Sequence, residues 1–547
     1  MVSGHAEERT AGYSIPFLIL LALYCAWIFT LPLFPSLDGS LHLYYASVLG
    51  SLLSGSKDFA NYYFIRHVLP PYALHYYFLI AAAHFFGYVM ADKLLVCIIF
   101  ISTAFGFRYL ARYLGPSGDL LSLFIIPLLL NWPLGMGFYN YCLAIGMALW
   151  ALGFWYRAVE RRSHRLWLAF LAVVILMALT HPVPLAFIYV LVGVDVGWRL
   201  TKCLRERQLS GRATTQIVRS FRADILYMLT AWSTFGYIAL FIVGNPVSGS
   251  DMRPRPVSLL SLVKLSTLAM FSGGQAMIVA YRMSLYILLF LMVALASSGL
   301  MARLRNKKTT LADWFFICSV SLPIVIPILP GSNFIAQRLV VLVWIGTLAA
   351  ASGHLSMPEN AQRTIALCAC GYAIAVLAFA NTRIRPVAVR IVQVETVRVA
   401  RYHLTGLVLG LPNAPDPVDL DYFPYYWVGA RYFRRTKSIM LNGGWLYEYY
   451  FPLGSNIDRL SDELTPTVQD APGDAYQLLL HSSTARDAVL PHANLLVFTG
   501  SIQSEHLLTI VKDLDQSEPS RSWVCESHGW YSDCTSPFTG RLPGGMK

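Results

Sequence analysis

One aspartate stands just past the first long apolar stretch of this sequence, in Leu37-Asp38-Gly39-Ser40-Leu41-His42-Leu43-Tyr44-Tyr45. Behind it Leu41, Tyr45, Val48, Leu49 and Leu52 recur at helical spacing, which predicts a helix lying on the membrane. A carboxylate at such a helix start stays ionised beside the free N–H groups and can accept a proton from an attacking hydroxyl. The same position also suits an N-cap, where Asp38 would only satisfy helix N–H groups. Asp38 and His42 are four residues apart and share a helix face, so they offer two ligands to a divalent metal such as Mg or Mn. Two groups without a third make a weak metal signal. Three other polar groups interrupt apolar surroundings: Asn140 at the end of a Gly-rich turn from Asn131, His181 in Thr180-His181-Pro182-Val183-Pro184, and Arg338 at the start of an apolar run. A histidine at a broken helix lines a cavity or is satisfied structurally, and an arginine at a bilayer edge costs free energy unless paired.

The elements that must position these groups are membrane spans. The chain has 547 residues, 56% hydrophobic and only 13% charged, with mean hydropathy +0.53, which excludes a wholly soluble protein. Eleven apolar segments are expected to cross a bilayer: 13–34, 94–110, 120–135, 138–156, 166–179, 185–198, 225–244, 283–302, 314–329, 339–351 and 364–380. The first is read as a retained helix, because no small-residue cleavage site follows it. The net charge of +12 divides unevenly. Residues 1–382 hold 27 basic and 13 acidic side chains, whereas 383–547 hold 15 and 17. The basic excess therefore belongs to the membrane half and marks topology rather than nucleic-acid binding.

With a cytoplasmic N-terminus, the clusters at Arg108/Arg112, 157–165, 199–222, 303–308 and Arg363 all fall on the cytoplasmic side. The apolar stretch 73–87 is then a membrane-flush or re-entrant helix within a first outer loop, 35–91. A second outer loop spans 245–282, with Asp251, Arg253 and Arg255, and could close over a substrate. The expected fold is mainly α, a polytopic bundle of about eleven spans over 1–382. A C-terminal extracytoplasmic α/β domain follows over 383–547, with strand-like runs at 475–480 and 495–499 and a helix at 503–513. Its aromatic runs, 422–427 and 445–450, suit sugar stacking or a membrane-facing belt equally well.

Seven of nine cysteines lie in spans or on the cytoplasmic side, where thiols stay reduced. Cys525 and Cys534 lie in the outer domain, where a disulfide is expected, with two unpaired thiols as the alternative. The chain carries no Walker loop, dinucleotide fingerprint, His-Glu-x-x-His or Gly-x-Ser-x-Gly.

An acid just past the first span, a flush helix, a Pro70-Pro71-Tyr72-Ala73-Leu74 segment, many further spans and an outer C-terminal domain together resemble the GT-C superfamily of integral-membrane glycosyltransferases. The closest pattern is the bacterial branch with Asp-Gly-x-x-His-x-Tyr after the first helix, here Asp38 to Tyr44. The resemblance covers 13–382 as architecture and only short motifs as sequence. It implies a polyprenyl-phosphate-linked sugar donor, chemistry on the outer face of a bacterial inner membrane, and a first-loop acid that acts as base or helps bind a metal. By that match Asp38 is the base. Gly39 and Ser40 stand where a second acid would be, which leaves metal dependence open.

The implied displacement at the anomeric carbon releases a polyprenyl phosphate, whose negative charge needs cationic or donor groups. Lys57, Arg66, His67, Arg253, Arg255, Lys264, Arg282 and Arg338 are available on the outer side. Arg66-His67, just before Pro70-Pro71, is the preferred pair; headgroup anchoring is the competing role. His42, Asn140, His181 and Arg338 complete the expected substrate site, a cavity lined by Asp38, His181 and Arg338. The acceptor is a glycan, a lipid or a protein, and membrane lipids surround the chain. A transporter or flippase of lipid-linked sugars and a non-catalytic scaffold are the alternatives. Charges that gather at one interface, with almost none mid-span, favour interfacial chemistry over transport.

Overall fold

A computed structural model describes residues 13–57, 59–60, 63–210, 214–244, 270–271, 276–305, 311–325, 335–354, 357–395, 405–410, 439–440, 453–455, 495–499, 512, 515–516, 522–527 and 531–535. Asp251, Arg253, Arg255 and Lys264, the run 475–480, both aromatic runs and all of 503–513 except Lys512 lie outside the described residues.

The described chain is dominated by helices: α1 (Ser14–Thr30), α2 (Gly39–Leu53), α3 (Leu74–Phe86), α4 (Tyr88–Leu114), α5 (Gly118–Leu121), α6 (Trp132–Gly135), α7 (Tyr139–Arg161), α8 (His164–Ala178), α9 (Pro182–Ser210), α10 (Thr214–Gly244), α11 (Ala276–Arg305), α12 (Leu311–Val325), α13 (Ile335–His354) and α14 (Glu359–Glu395). Among the described residues six stretches are long and apolar enough to cross a membrane: Tyr88–Leu114, Tyr139–Arg161, Pro182–Leu204, Asp224–Phe241, Ala276–Met301 and Glu359–Val389. Ser14–Thr30, Leu74–Phe86, His164–Ala178 and Val340–Gly353 are shorter apolar helices. This is a polytopic helical membrane protein.

Two expected segments differ. Residues 120–135 do not form one span. They break into α5, two 3-10 turns at Ser122–Ile125 and Pro127–Leu129, and α6. Pro127 and Pro133 cannot donate to a continuing ladder. Asn131 closes the turn instead: its Nδ2 donates to the Leu128 carbonyl at 3.0 Å and its Oδ1 accepts from the Leu134 N–H at 3.1 Å. The basic cluster 199–222, expected as a cytoplasmic loop between spans, is helical where described: α9 runs to Ser210 and α10 starts at Thr214. Lys, Arg, Gln and Leu are good helix formers, so both helices continue through the charged stretch.

The chain divides into two units: residues 1–30, 95–134 and 138–381, and residues 31–94, 135–137 and 382–547. In the first, Tyr24 Oη donates to the Ala373 carbonyl at 2.8 Å and Trp27 Nε1 to Asn381 Oδ1 at 3.0 Å, fastening α1 to α14. Buried carboxylates there meet arginines. Asp119 Oδ1 accepts from Nε of both Arg108 and Arg112 at 2.7 Å. Asp195 accepts from Arg199 and from Trp155 Nε1, and the fully buried Asp224 accepts from Arg199 and Arg162.

In the second unit β1 (Tyr63–Ile65) pairs antiparallel with a distant strand, Leu453–Ser455 (β4). A five-stranded sheet has the order β3 (Ile439–Met440), β2 (Thr405–Gly410), β5 (Leu495–Thr499), β7 (Tyr531–Thr535), β6 (Val524–Ser527). β2 is parallel to both its neighbours, whereas β7 is antiparallel to β5 and β6. Parallel neighbours require crossover connections rather than hairpins, which makes this sheet of the α/β kind. Cys525 and Cys534 face each other across β6 and β7 and are joined by a disulfide.

Candidate functional site

Asp38 occupies the N-cap position of α2 but makes no side-chain capping hydrogen bond, so its carboxylate is not what closes the helix end. The residue is 3% exposed. Its place is set by the backbone. Leu37 N–H donates to the Gly135 carbonyl at 2.9 Å and Asp38 N–H to the Met136 carbonyl at 3.1 Å. Gly137 lies flat against this peptide with φ +81°, where a Cβ would sit 2.8 Å from the nitrogens of Asp38 and Gly39. Only glycine fits that approach and that backbone angle.

One turn into α2, His42 Nδ1 lies 2.9 Å from Tyr76 Oη, and the ring also hydrogen-bonds the Gly137 backbone. With Nδ1 facing Tyr76, the bond to Gly137 falls to Nε2. Burial pushes the His42 pKa down to about 4, against the opposing effect of the Gly137 bond. His75 packs edge-on to His42, ring centroids 4.9 Å apart, and sits 4.0 Å from the Tyr76 ring. Burial, and then His42, hold His75 well below the usual histidine range. The lead-in to α3 is strained, because Tyr72 after Pro70-Pro71 has φ +76°.

These donors do not fit a divalent metal at Asp38 and His42. Both His42 nitrogens have hydrogen-bond partners. Among the described residues no group of three His, Cys, Asp or Glu side chains converges as a metal site. Arg66 and His67 follow β1 in the same unit, both half-buried, with the Arg66 guanidinium 5.8 Å from the Phe64 ring.

His181, Asn140 and Arg338 belong to the other unit. Arg338 Nη1 is 3.2 Å from His181 Nε2, although 157 residues separate them. Its guanidinium stacks on Phe138 at 3.9 Å, and Tyr141 Oη donates to its carbonyl at 2.7 Å. Val183 N–H donates to His181 Nδ1 at 3.1 Å at the start of α9. A guanidinium can only donate and a neutral ring accepts at one nitrogen, so Arg338 and the Val183 N–H face the two ring nitrogens of His181, and the buried Arg338 Nε–H has no hydrogen-bond partner among the described residues. An anionic oxygen there would accept from the Arg338 guanidinium. Among the described residues no carboxylate pairs with the Arg338 guanidinium. Asn140 is committed locally: its Oδ1 accepts the Tyr141 N–H at 2.8 Å.

Sequence reasoning missed His75, Tyr76, Phe138 and Tyr141, which become neighbours of the expected residues only through folding. It also passed over Asp92 and Lys93, buried at the start of α4. Adjacent charges inside an apolar run were a signal in the sequence itself.

No protein-family model matches the sequence, and no curated protein sequence matches it. Among solved structures the chain is similar to ArnT from Cupriavidus metallidurans bound to undecaprenyl phosphate, with a TM-score of 0.50 and 14% identity, over 97% of this chain and 100% of that one. At that identity the likeness is one of fold alone.

Proposed function

We propose that this chain is a membrane glycosyltransferase of GT-C architecture that moves a sugar from a polyprenyl-phosphate donor to a hydroxyl acceptor on the outer face of a bacterial inner membrane. One observation carries the reading: the Arg338 guanidinium, 3.2 Å from His181 Nε2, has no carboxylate partner among the described residues and a buried Nε–H without an acceptor, on a fold similar to that of ArnT bound to undecaprenyl phosphate.

The acceptor hydroxyl attacks the anomeric carbon and gives its proton to the Asp38 carboxylate. The carbon–oxygen bond to phosphate breaks, and its electron pair leaves on the phosphate oxygen. Arg338, held beside His181, holds that charge as it grows. A single displacement of this kind inverts the anomeric centre. Arg66 and His67 remain available to the phosphate or the headgroups. Asp38 takes the proton at a carboxylate oxygen, and no step is routed through a metal. The Cys525–Cys534 disulfide suits an oxidising outer compartment.

Purified protein in lipid, offered a panel of polyprenyl-phosphate sugars with acceptor extracts, should release polyprenyl phosphate. Lipid-linked sugar crossing sealed vesicles with no such release would replace the transferase by a flippase.

A further inference from the structure

We infer that His42 is a positioning residue, a neutral hydrogen-bonded strut between Tyr76 and the Gly137 carbonyl that holds the 135–137 turn against the Asp38 peptide, rather than a metal ligand or proton carrier. This rests on the reading of Asp38 as the base and adds how that base is held.

The geometry runs through five contacts. Tyr76 Oη meets His42 Nδ1 at 2.9 Å, and the ring bonds the Gly137 backbone from its other nitrogen. Gly137 abuts the Asp38–Gly39 peptide, and the carbonyls of Gly135 and Met136 receive the N–H groups of Leu37 and Asp38. A carbonyl can only accept, so His42 donates Nε2–H to Gly137. Nδ1 then keeps its lone pair and accepts from the Tyr76 hydroxyl. This uses both nitrogens of a neutral ring and leaves none to bind a metal or shuttle a proton. His75 packs its ring edge-on against His42, and His42 itself is 8% exposed. The turn 135–137 has no regular secondary structure beyond the end of α6. The His42 bond therefore adds to the backbone bonds that fix where the Asp38 peptide rests, and a displacement near 1 Å costs about 10²-fold in rate.

The test compares His42→Gln, His42→Ala and Tyr76→Phe in the full-length protein. A glutamine amide can donate to Gly137 but cannot relay a proton as imidazole does. His42→Gln should keep kcat within about threefold, and Tyr76→Phe should lose about tenfold. His42→Ala should lose about 10²-fold with KM unchanged. Adding Mg²⁺ or Mn²⁺, or chelating them, should change wild type and His42→Gln by the same factor. Glutamine as inactive as alanine, or a metal response confined to wild type, would overturn the assignment.

Should wild-type protein release no polyprenyl phosphate, the transferase reading fails, and ¹⁵N spectra of histidine-labelled protein still decide the strut. They should show His42 as the Nε2–H tautomer, neutral down to about pH 5, with Nδ1 shifted in Tyr76→Phe. A ring that protonates near its ordinary pKa, or a bare Nε2, would refute it.

Discussion

Arg199 and Arg338 are both half-buried arginines of the helical unit, and their surroundings follow opposite rules. Arg199 is matched: Asp195 and Asp224 accept from its guanidinium at 2.9 and 2.7 Å, and Arg162 completes the set at 2.7 Å. Two carboxylates and two guanidiniums cancel. Arg338 instead has a ring face, a histidine nitrogen and no carboxylate among the described residues. The first arrangement is complete within the protein, whereas on the proposed reading the second is completed by an anion from outside it. Burial of an arginine is therefore a poor marker of function on its own. The identity of its partners separates a fold element from a binding group.

The largest effect should come from breaking the matched set. Asp224→Ala leaves Arg199 and Arg162 partly stranded and should cost about 3–5 kcal/mol of stability, read as a fall in the thermal midpoint in detergent. If that midpoint hardly moved, the matched cluster would be as dispensable to the fold as Arg338. Arg338→Ala should do the reverse. It should lower turnover about 10²–10³-fold by removing a donor from the departing phosphate, while the midpoint stays near wild type. Unfolding in place of lost turnover would make Arg338 one more structural arginine.

The His42–His75 pair adds a third, neutral environment. Its acid response should be somewhat smaller. In the unfolded chain His42 takes up a proton near pH 6.5, whereas the folded site waits until about 4. Stability is thus full above pH 6.5 and falls as the pH drops towards 4, by about 3 kcal/mol, with His75 acting in the same direction. Melting curves across that range should show the fall, and His42→Gln should flatten part of it. A flat wild-type profile would mean that these rings are not held neutral. The smallest effect belongs to the exposed pair Arg363–Glu359, 2.6 Å apart with side chains 70% and 75% exposed. Glu359→Gln should shift stability by less than about 0.5 kcal/mol.

These comparisons also show what was legible in the sequence. Helices such as α7 and α14 were, because apolar composition over enough residues is a local property. The breakdown of 120–135 was legible in part, through Pro127 and Pro133, but total hydrophobicity outweighed them. Asp38 stood out by type and place. The capping role that competes with catalysis predicted a hydrogen bond that the helix start does not make. His181 and Arg338 were expected on one outer cavity, but their direct contact at 3.2 Å was not legible, because a spacing of 157 residues carries no periodic signal. Nor was the fit of Gly137 against Asp38, which needs two distant turns to meet. His42 looked like half a metal site because spacing reports a shared face and says nothing of where the ring nitrogens are already committed.

The central claim is that Asp38 takes the acceptor's proton while other groups hold the lipid phosphate. It is tested most directly by single-turnover release of polyprenyl phosphate from wild type and Asp38→Asn at saturating donor, with donor binding measured on the same samples. The account predicts a fall in rate of about 10²–10⁴-fold with donor affinity unchanged. Equal release rates from the two proteins would contradict it.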